Sequence, residues 1–330
     1  MIYEHLDLKI LFKERSFLTP FLFFKIIVCI FATKQNIMIR LNNKKIDVGR
    51  FPDGTQKLLD INLDEMVFDR SIKNVITWCY ENDSELLTLI YLKRHIDKYV
   101  KGEIDLIMPY APNGRMDRVK AENEVFTLKY FSEVINSLKF DNVFIFDPHS
   151  IVTEALFDNY RPINVSNVIK ISLRIIESYL EFNKEKLDVI YFPDDGAYKR
   201  YNGMDCFKDN NYTFVYGKKN RDWSTGKILG LDVCDANGFK LPTGALKDKN
   251  VLMIDDIISY GGTLAYSADA LKTLGADKIY IYASHVENSI LDKEKGTLLK
   301  KLEDDTIRKI YTTNSIFSGE NDKISIIQNF

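Results

Sequence analysis

At 330 residues the chain exceeds the ~250 residues at which single cores stop growing, so two domains are expected. Its 45 Lys and Arg stand against 47 Asp and Glu, leaving no basic field to draw in a nucleic acid, so any polyanion must be held by local groups. Cys29, Cys79, Cys206 and Cys234 form no CxxC pair, and four histidines are too few for a multi-histidine metal centre; a reducing, cytoplasmic setting is expected.

From the N-terminus, Phe17 to Ala32 is almost wholly apolar. It is shorter than the ~20 residues of a spanning helix, carries Pro20 and Lys25, and runs into ATKQN, a poor cleavage site, so no membrane span is expected. Residues 1–37 are read as an extension, with the globular pattern starting at Met38. Short β-rich runs then alternate with helical patterns, the signature of βαβ units in mostly parallel sheets flanked by helices. SIKNVITWCY reads as a strand, and ENDSELLTLIYLKRHIDKY as a helix with Asp83 or Ser84 as N-cap. IDLIMPY (strand), NEVFTLKYFSEVINSL (helix), NVFIFD (strand), NVIKISLRIIESYLEF (helix) and LDVIYFP (strand) follow. TFVYG, KILGLDV, VLMIDD and KIYIYAS are further strands, TLAYSADALKTLGA is a helix closed by Gly275, and LDKEKGTLLKKLEDD reads as a solvated surface helix. Two similar α/β domains are expected, 38–165 and 166–330, with 322–330 free to return to the first.

In open α/β sheets ligands bind beyond the carboxyl ends of the strands. The predicted ends carry Pro109-Tyr110, Asp147-Pro148-His149, Pro193-Asp194-Asp195-Gly196, Gly217-Lys218-Lys219, Asp255-Asp256 and Ser284-His285. In VLMIDDIISYGGT, Gly261 and Gly262 let backbone N–H groups converge where Thr263 opens a helix, an anion cradle suited to phosphate. Asp255 and Asp256 would repel a phosphate in contact but accept from vicinal hydroxyls, so a sugar phosphate satisfies both halves. A lone Asp-Asp would be read as a capping pair at a turn. The Gly-Gly-Thr after a buried strand favours a ligand. The stretch has neither the lysine of a P-loop nor the spacing of a dinucleotide turn.

This stretch resembles the phosphoribosyl-pyrophosphate loop of type I phosphoribosyltransferases and of ribose-phosphate pyrophosphokinases. Arg50-Phe51-Pro52-Asp53-Gly54, Pro109-Tyr110 with Gly114-Arg115-Met116-Asp117-Arg118, Phe146-Asp147-Pro148-His149, Pro193-Asp194-Asp195-Gly196, Gly217-Lys218-Lys219-Asn220-Arg221 and Tyr282-Ala283-Ser284-His285 resemble segments of the pyrophosphokinases in family order. The resemblance implies a phosphoribosyltransferase-type fold and transfer of the diphosphoryl group of MgATP to ribose 5-phosphate, with AMP leaving. It implies His149, Lys218 and Arg221 as catalytic residues, and Phe51, Asp53, Arg115, Asp117 and His149 as ATP contacts. Asp194, Asp255, Asp256, Ser259, Tyr260, Gly261, Gly262 and Thr263 would hold the sugar phosphate, and His149 with Asp194 the Mg²⁺. A homo-oligomer is also implied.

Against the family's DDxxDTGGT, Ser259 replaces an acid and Tyr260 a small hydroxyl residue; Thr55 and Met116 also depart from its pattern. A ring at 260 suits a larger 5′ group, so ADP-ribose is an alternative acceptor. A nucleotide-binding regulatory subunit without activity is the other reading.

Overall fold

A computed structural model describes residues 39–59, 61, 74–100, 102–208, 210–221 and 228–330, leaving aside the side chains of 219–221 and 228–229. The proposed extension 1–37 lies outside these residues.

The first domain is built on one sheet. Strand β1 (Ile39–Leu41) pairs antiparallel with β2 (Lys44–Lys45) and with β5 (Asn74–Trp78), and β6 (Ile104–Met108), β7 (Val143–Phe146) and β8 (Tyr160–Ile163) continue parallel from β5. Helices α1 (Ser84–Tyr99), α2 (Thr127–Ser137) and α3 (Ile151–Leu156) connect them. A separate hairpin, β3 (Val48–Arg50) with β4 (Gln56–Leu58), stands beside this sheet.

Helix α4 (Val165–Phe182) leads into the second domain. Its N-cap Asn164 accepts from Ser166 N (2.9 Å), and Val165, Val168, Ile169, Ser172, Leu173, Ile176 and Leu180 are buried at helical spacing. The second sheet has the order β11-β10-β9-β12-β13-β14-β15, where β9 is Val189–Phe192, β10 Thr213–Arg221, β11 Ile228–Asp235, β12 Val251–Ile258, β13 Ile279–Val286, β14 Lys309–Thr313 and β15 Ile324–Ile327. Every pairing in it is parallel except β10 with β11. Helices α5 (Asp195–Tyr201), α6 (Gly262–Thr273) and α7 (Thr297–Glu303) complete the domain.

Strand β9 and the first half of β12 are apolar throughout because helices cover both faces of the sheet. Val189 and Tyr191 enter one core while Ile190 and Phe192 enter the opposite one; Val251 and Met253 alternate with Leu252 and Ile254 in the same way. Beyond Ile254 this alternation sends Asp255 and Asp256 to opposite faces.

Asp83 is the N-cap of α1, one of the two candidates expected; its side chain makes no capping hydrogen bond and accepts from the Tyr80 hydroxyl (2.9 Å), while Asn82 Oδ1 accepts from Ser84 N (3.1 Å) and its Oγ (2.5 Å). Two local expectations are corrected. The segment read as a solvated surface helix is helical only over Thr297–Glu303 and buries Leu298, Leu299 and Leu302. Finally, 322–330 does not return to the first sheet: β15 extends the second, parallel to β14, because Ile324 and Ile327 have apolar cores there to fill. The terminal Phe330 ring reaches the first domain, 5.1 Å from that of Phe146.

Candidate active site

The carboxyl ends of both sheets meet at one seam, built outward from Asp147. This residue follows β7 with φ +44°, a conformation disfavoured for a non-glycine residue, and its buried carboxylate is fixed by three partners. Its carboxylate accepts from Arg200 (2.6 Å) and Tyr201 (2.8 Å) of α5 and from Ser284 Oγ of β13. Arg200 also donates to the carbonyls of Pro148 and His149. The turn that presents His149 is therefore held by the second domain.

His149 Nδ1 lies 2.6 Å from Asp256 Oδ2. Hydrogen bonding to Asp256 raises the imidazole pKa, against the opposing effect of burial. For Asp256 burial favours the neutral acid, but the bond to His149, its charge and nearby Arg200 hold the carboxyl below its ordinary value. Asp255 behaves oppositely: burial and the Asp256 charge push its pKa well up, and Asp194 adds to the effect. The adjacent aspartates are thus pushed in opposite directions because Asp256 has a cationic partner in His149 and Asp255 does not. The second strand-end histidine, His285, is structural. Its Nε2 lies 3.2 Å from the carbonyls of Phe146 and Asp147, its Nδ1 2.9 Å from Ser315 Oγ, and burial lowers its pKa. Nε2–H is then the donor to these carbonyls.

Arg115 and Asp117 lie on the same side of the seam. A narrow pocket is lined by Tyr110, Gly114, Arg115, His149, Asp256 and Ile257. Arg115 reaches Glu287, just past β13, at 2.5 Å. Asp117 takes both bonds of a fork from Arg118 (2.9 and 3.0 Å), which hold its carboxyl below the usual range.

The predicted cradle opens α6. Gly261 is its N-cap at φ +81°, and a Cβ there would stand 2.3 Å from Leu298 Cβ, so the backbone and α7 both demand glycine. The Tyr260 carbonyl accepts from Leu298 N (3.3 Å) and Thr297 Oγ1 (3.0 Å), while the Tyr260 side chain is partly exposed. Ser259 Oγ lies 3.2 Å from Ser289 Oγ. Gly262 and Thr263 form the first turn of α6. Asp194 caps α5 by accepting from Ala197 N (3.0 Å).

Other predicted residues stand apart. Phe51 is half exposed at the tip of the β3–β4 hairpin, where Asp53 accepts from Thr55 N (2.9 Å) and Oγ1 (2.7 Å), so the unexpected Thr55 closes this turn. Lys218 is exposed on β10 opposite Asp232 of β11, and Arg221 lies at the far end of β10 by an irregular step in the pairing. Among the described residues no hydrogen bond or ion pair joins Phe51, Asp53 or Lys218 to His149 or Asp256. A larger cavity at the opposite ends of β9 and β10 is lined by Glu177, Asp188, Tyr212 and Lys249. Its charges are mutually paired, Lys249 with Asp188 (3.2 Å) and Tyr212 with Glu177 (2.5 Å), and it offers no comparable set of convergent donors.

Sequence reasoning missed Arg200, Glu287, Ser289 and Leu298. Each is a single residue in an ordinary helical or loop context, and its partner lies far away in sequence.

Comparison with known proteins fits this geometry. The phosphoribosyl transferase domain matches residues 165–322. A ribose-phosphate pyrophosphokinase of Buchnera aphidicola is 24% identical over 85% of this chain and 81% of its own; one of Thermococcus kodakarensis is 28% identical over 73% and 77%. The chain is thus similar to ribose-phosphate pyrophosphokinases over most of its length. In fold, the phosphoribosylpyrophosphate synthetase of Mycobacterium smegmatis superposes with a TM-score of 0.63 at 16% identity, covering 86% of this chain and 85% of that one. Ribose-phosphate pyrophosphokinases therefore match both domains, whereas the phosphoribosyl transferase domain matches only the second.

Proposed function

We propose that the chain is a ribose-phosphate diphosphokinase that moves the β,γ-diphosphoryl group of MgATP to the anomeric hydroxyl of ribose 5-phosphate, yielding 5-phosphoribosyl 1-diphosphate and AMP. The observation that carries this reading is the His149–Asp256 bond. It joins the candidate ATP side of unit 38–165 to the candidate sugar-phosphate side of unit 166–330.

In this reaction the anomeric oxygen bonds to the β-phosphorus, the bond between that phosphorus and the oxygen of the departing AMP breaks, and the hydroxyl proton leaves to solvent. Such chemistry needs positioning and charge neutralisation more than covalent intermediates. Phe51 and Asp53 are assigned to the adenine end, with Arg115, Asp117 and His149 along the phosphates. The N–H groups at Gly261, Gly262 and Thr263 are assigned to the 5-phosphate, aided by Ser259 and Tyr260. Asp255 and Asp256 are assigned to the ribose hydroxyls; an Asp255 kept neutral could both donate and accept. Lys218 and Arg221 are assigned to the charge that develops on the transferred group.

Magnesium enters with ATP. Burial and the charges of Asp256 and Asp194 oppose ionisation of Asp255, a surplus of negative charge that a divalent cation would relieve, and His149 and Asp194 are assigned as its protein contacts. Among the described residues no group of three His, Cys, Asp or Glu clusters as a metal site. When bound, the ion would neutralise phosphate charge. We expect a cytoplasmic homo-oligomer; among the described residues no helix is long and apolar enough to cross a membrane.

The test is AMP release from MgATP with ribose 5-phosphate or ADP-ribose as acceptor. The exposed Tyr260 ring at the cradle is what favours the second acceptor. Release with ribose 5-phosphate supports the proposal, release only with ADP-ribose replaces the acceptor, and release with neither favours a regulatory subunit.

A further inference from the structure

Arg115 and Glu287 form a salt bridge between the domains, one on the loop after β6 and the other just past β13. Glu287 is tethered: its N–H donates to the Ile258 carbonyl (2.8 Å), and its Oε2 accepts from Ser289 Oγ (3.1 Å). Ser289 Oγ in turn lies 3.2 Å from Ser259 Oγ. A continuous polar chain thus runs from Arg115 to the residue two places before the Gly261 cap of the cradle.

Arg115 itself sits in a loop of tight local turns, with Gly114 N donating to Ala111 O (3.2 Å), Met116 N donating to Asn113 O (2.8 Å), and Asn113 at φ +63°. Its side chain is about half exposed, at 48%, against 25% for Glu287. A long, exposed arginine loses much rotamer freedom when it grips an anion, and a fixed carboxylate that holds one edge of the guanidinium removes part of that loss in advance. Among the described residues Arg115 is hydrogen-bonded through its NH2 nitrogen to Glu287, and the fork has other donors to offer a ligand.

We propose that Glu287 is a positioning residue: it orients Arg115 for the polyphosphate of ATP and, through Ser289 and Ser259, couples that arginine to the sugar-phosphate cradle. The inference rests on the function proposed above. Glu287 does not touch substrate in this account. It acts by holding Arg115 where a phosphate oxygen can meet its free edge.

The experiment is calorimetric ATP binding to the full chain and to E287A, E287Q, R115A and the R115A/E287A double variant, with the thermal midpoint of each and with kcat and KM for ribose 5-phosphate in parallel. The expected result is about tenfold weaker ATP binding for E287A. Affinity for E287Q should lie within about threefold of the parent, because the amide oxygen still accepts from Arg115. The double variant should be no weaker than R115A, since the two residues act as a unit. A structural role alone would lower the midpoint of E287A without changing its ATP affinity. That pattern, tighter ATP binding by E287A, or additive losses in the double variant would each overturn the inference. ATP binding with the expected pattern but no AMP release would sink the proposed function alone; AMP release with no Glu287 effect would sink this inference alone.

Discussion

His149 of the first domain and Asp256 of the second approach to 2.6 Å across the seam. Neither residue lies within a hundred positions of the other, and the contact depends on Asp147, Arg200 and Ser284 holding the turn after β7 against the second sheet.

The bond gives His149 a defined pH signature. Its pKa in the folded protein is raised above the ordinary histidine value near 6.5, first by the hydrogen bond to Asp256. The stabilisation from this bond is therefore complete below the unfolded pKa and is lost as pH rises through the raised folded value. NMR titration of His149 should show the upward shift, and D256N should return the resonance toward 6.5. A parent titration at or below 6.5 would contradict the assignment.

Arg200 is expected to matter for stability more than its place on a short helix suggests. R200A leaves the buried Asp147 carboxylate without its cation, which typically costs about 3–5 kcal/mol. Urea unfolding measures this loss; a change below about 1 kcal/mol would show that Tyr201 and Ser284 suffice.

Gly261→Ala should be destabilising by about 2–4 kcal/mol, from the positive φ and the clash with Leu298 together. Tyr260→Ala, which removes a partly exposed ring and keeps the carbonyl that binds Thr297 and Leu298, should change stability by less than about 0.5 kcal/mol. Equal effects from the two variants in thermal unfolding would contradict this account of the cradle.

Much of this architecture was legible in the sequence. Near-continuous apolar runs such as VLMI and VIYF identify strands buried on both faces, and ionisable residues at their carboxyl ends identify the seam. Gly261 was legible as part of a phosphate cradle, but its second reason, the Leu298 side chain of α7, was not. The leucines of LDKEKGTLLKKLEDD are masked by charges of both signs, so the pattern resembles a solvated helix although Leu298 and Leu302 are buried. The place of β15 depends on which sheet has an open edge, and three isoleucines in a four-residue strand cannot encode that. Glu287 and Arg200 act through partners 172 and 53 residues away, beyond any local pattern.

Lys218 stands exposed on β10, where its charge is available to a ligand. K218A should lower kcat by about 10²–10³, the cost of one lost electrostatic stabiliser, with a smaller change in the KM for ATP. Steady-state kinetics with ribose 5-phosphate checks this, and a parent-like kcat would remove Lys218 from the mechanism.

The most direct test of the central claim is to incubate the full chain with MgATP and ribose 5-phosphate and follow AMP and the sugar product together. The account predicts one AMP and one 5-phosphoribosyl 1-diphosphate for each ATP consumed, with no product from H149A at comparable protein concentration. Absence of AMP release by the parent chain, or release of ADP in its place, would contradict it.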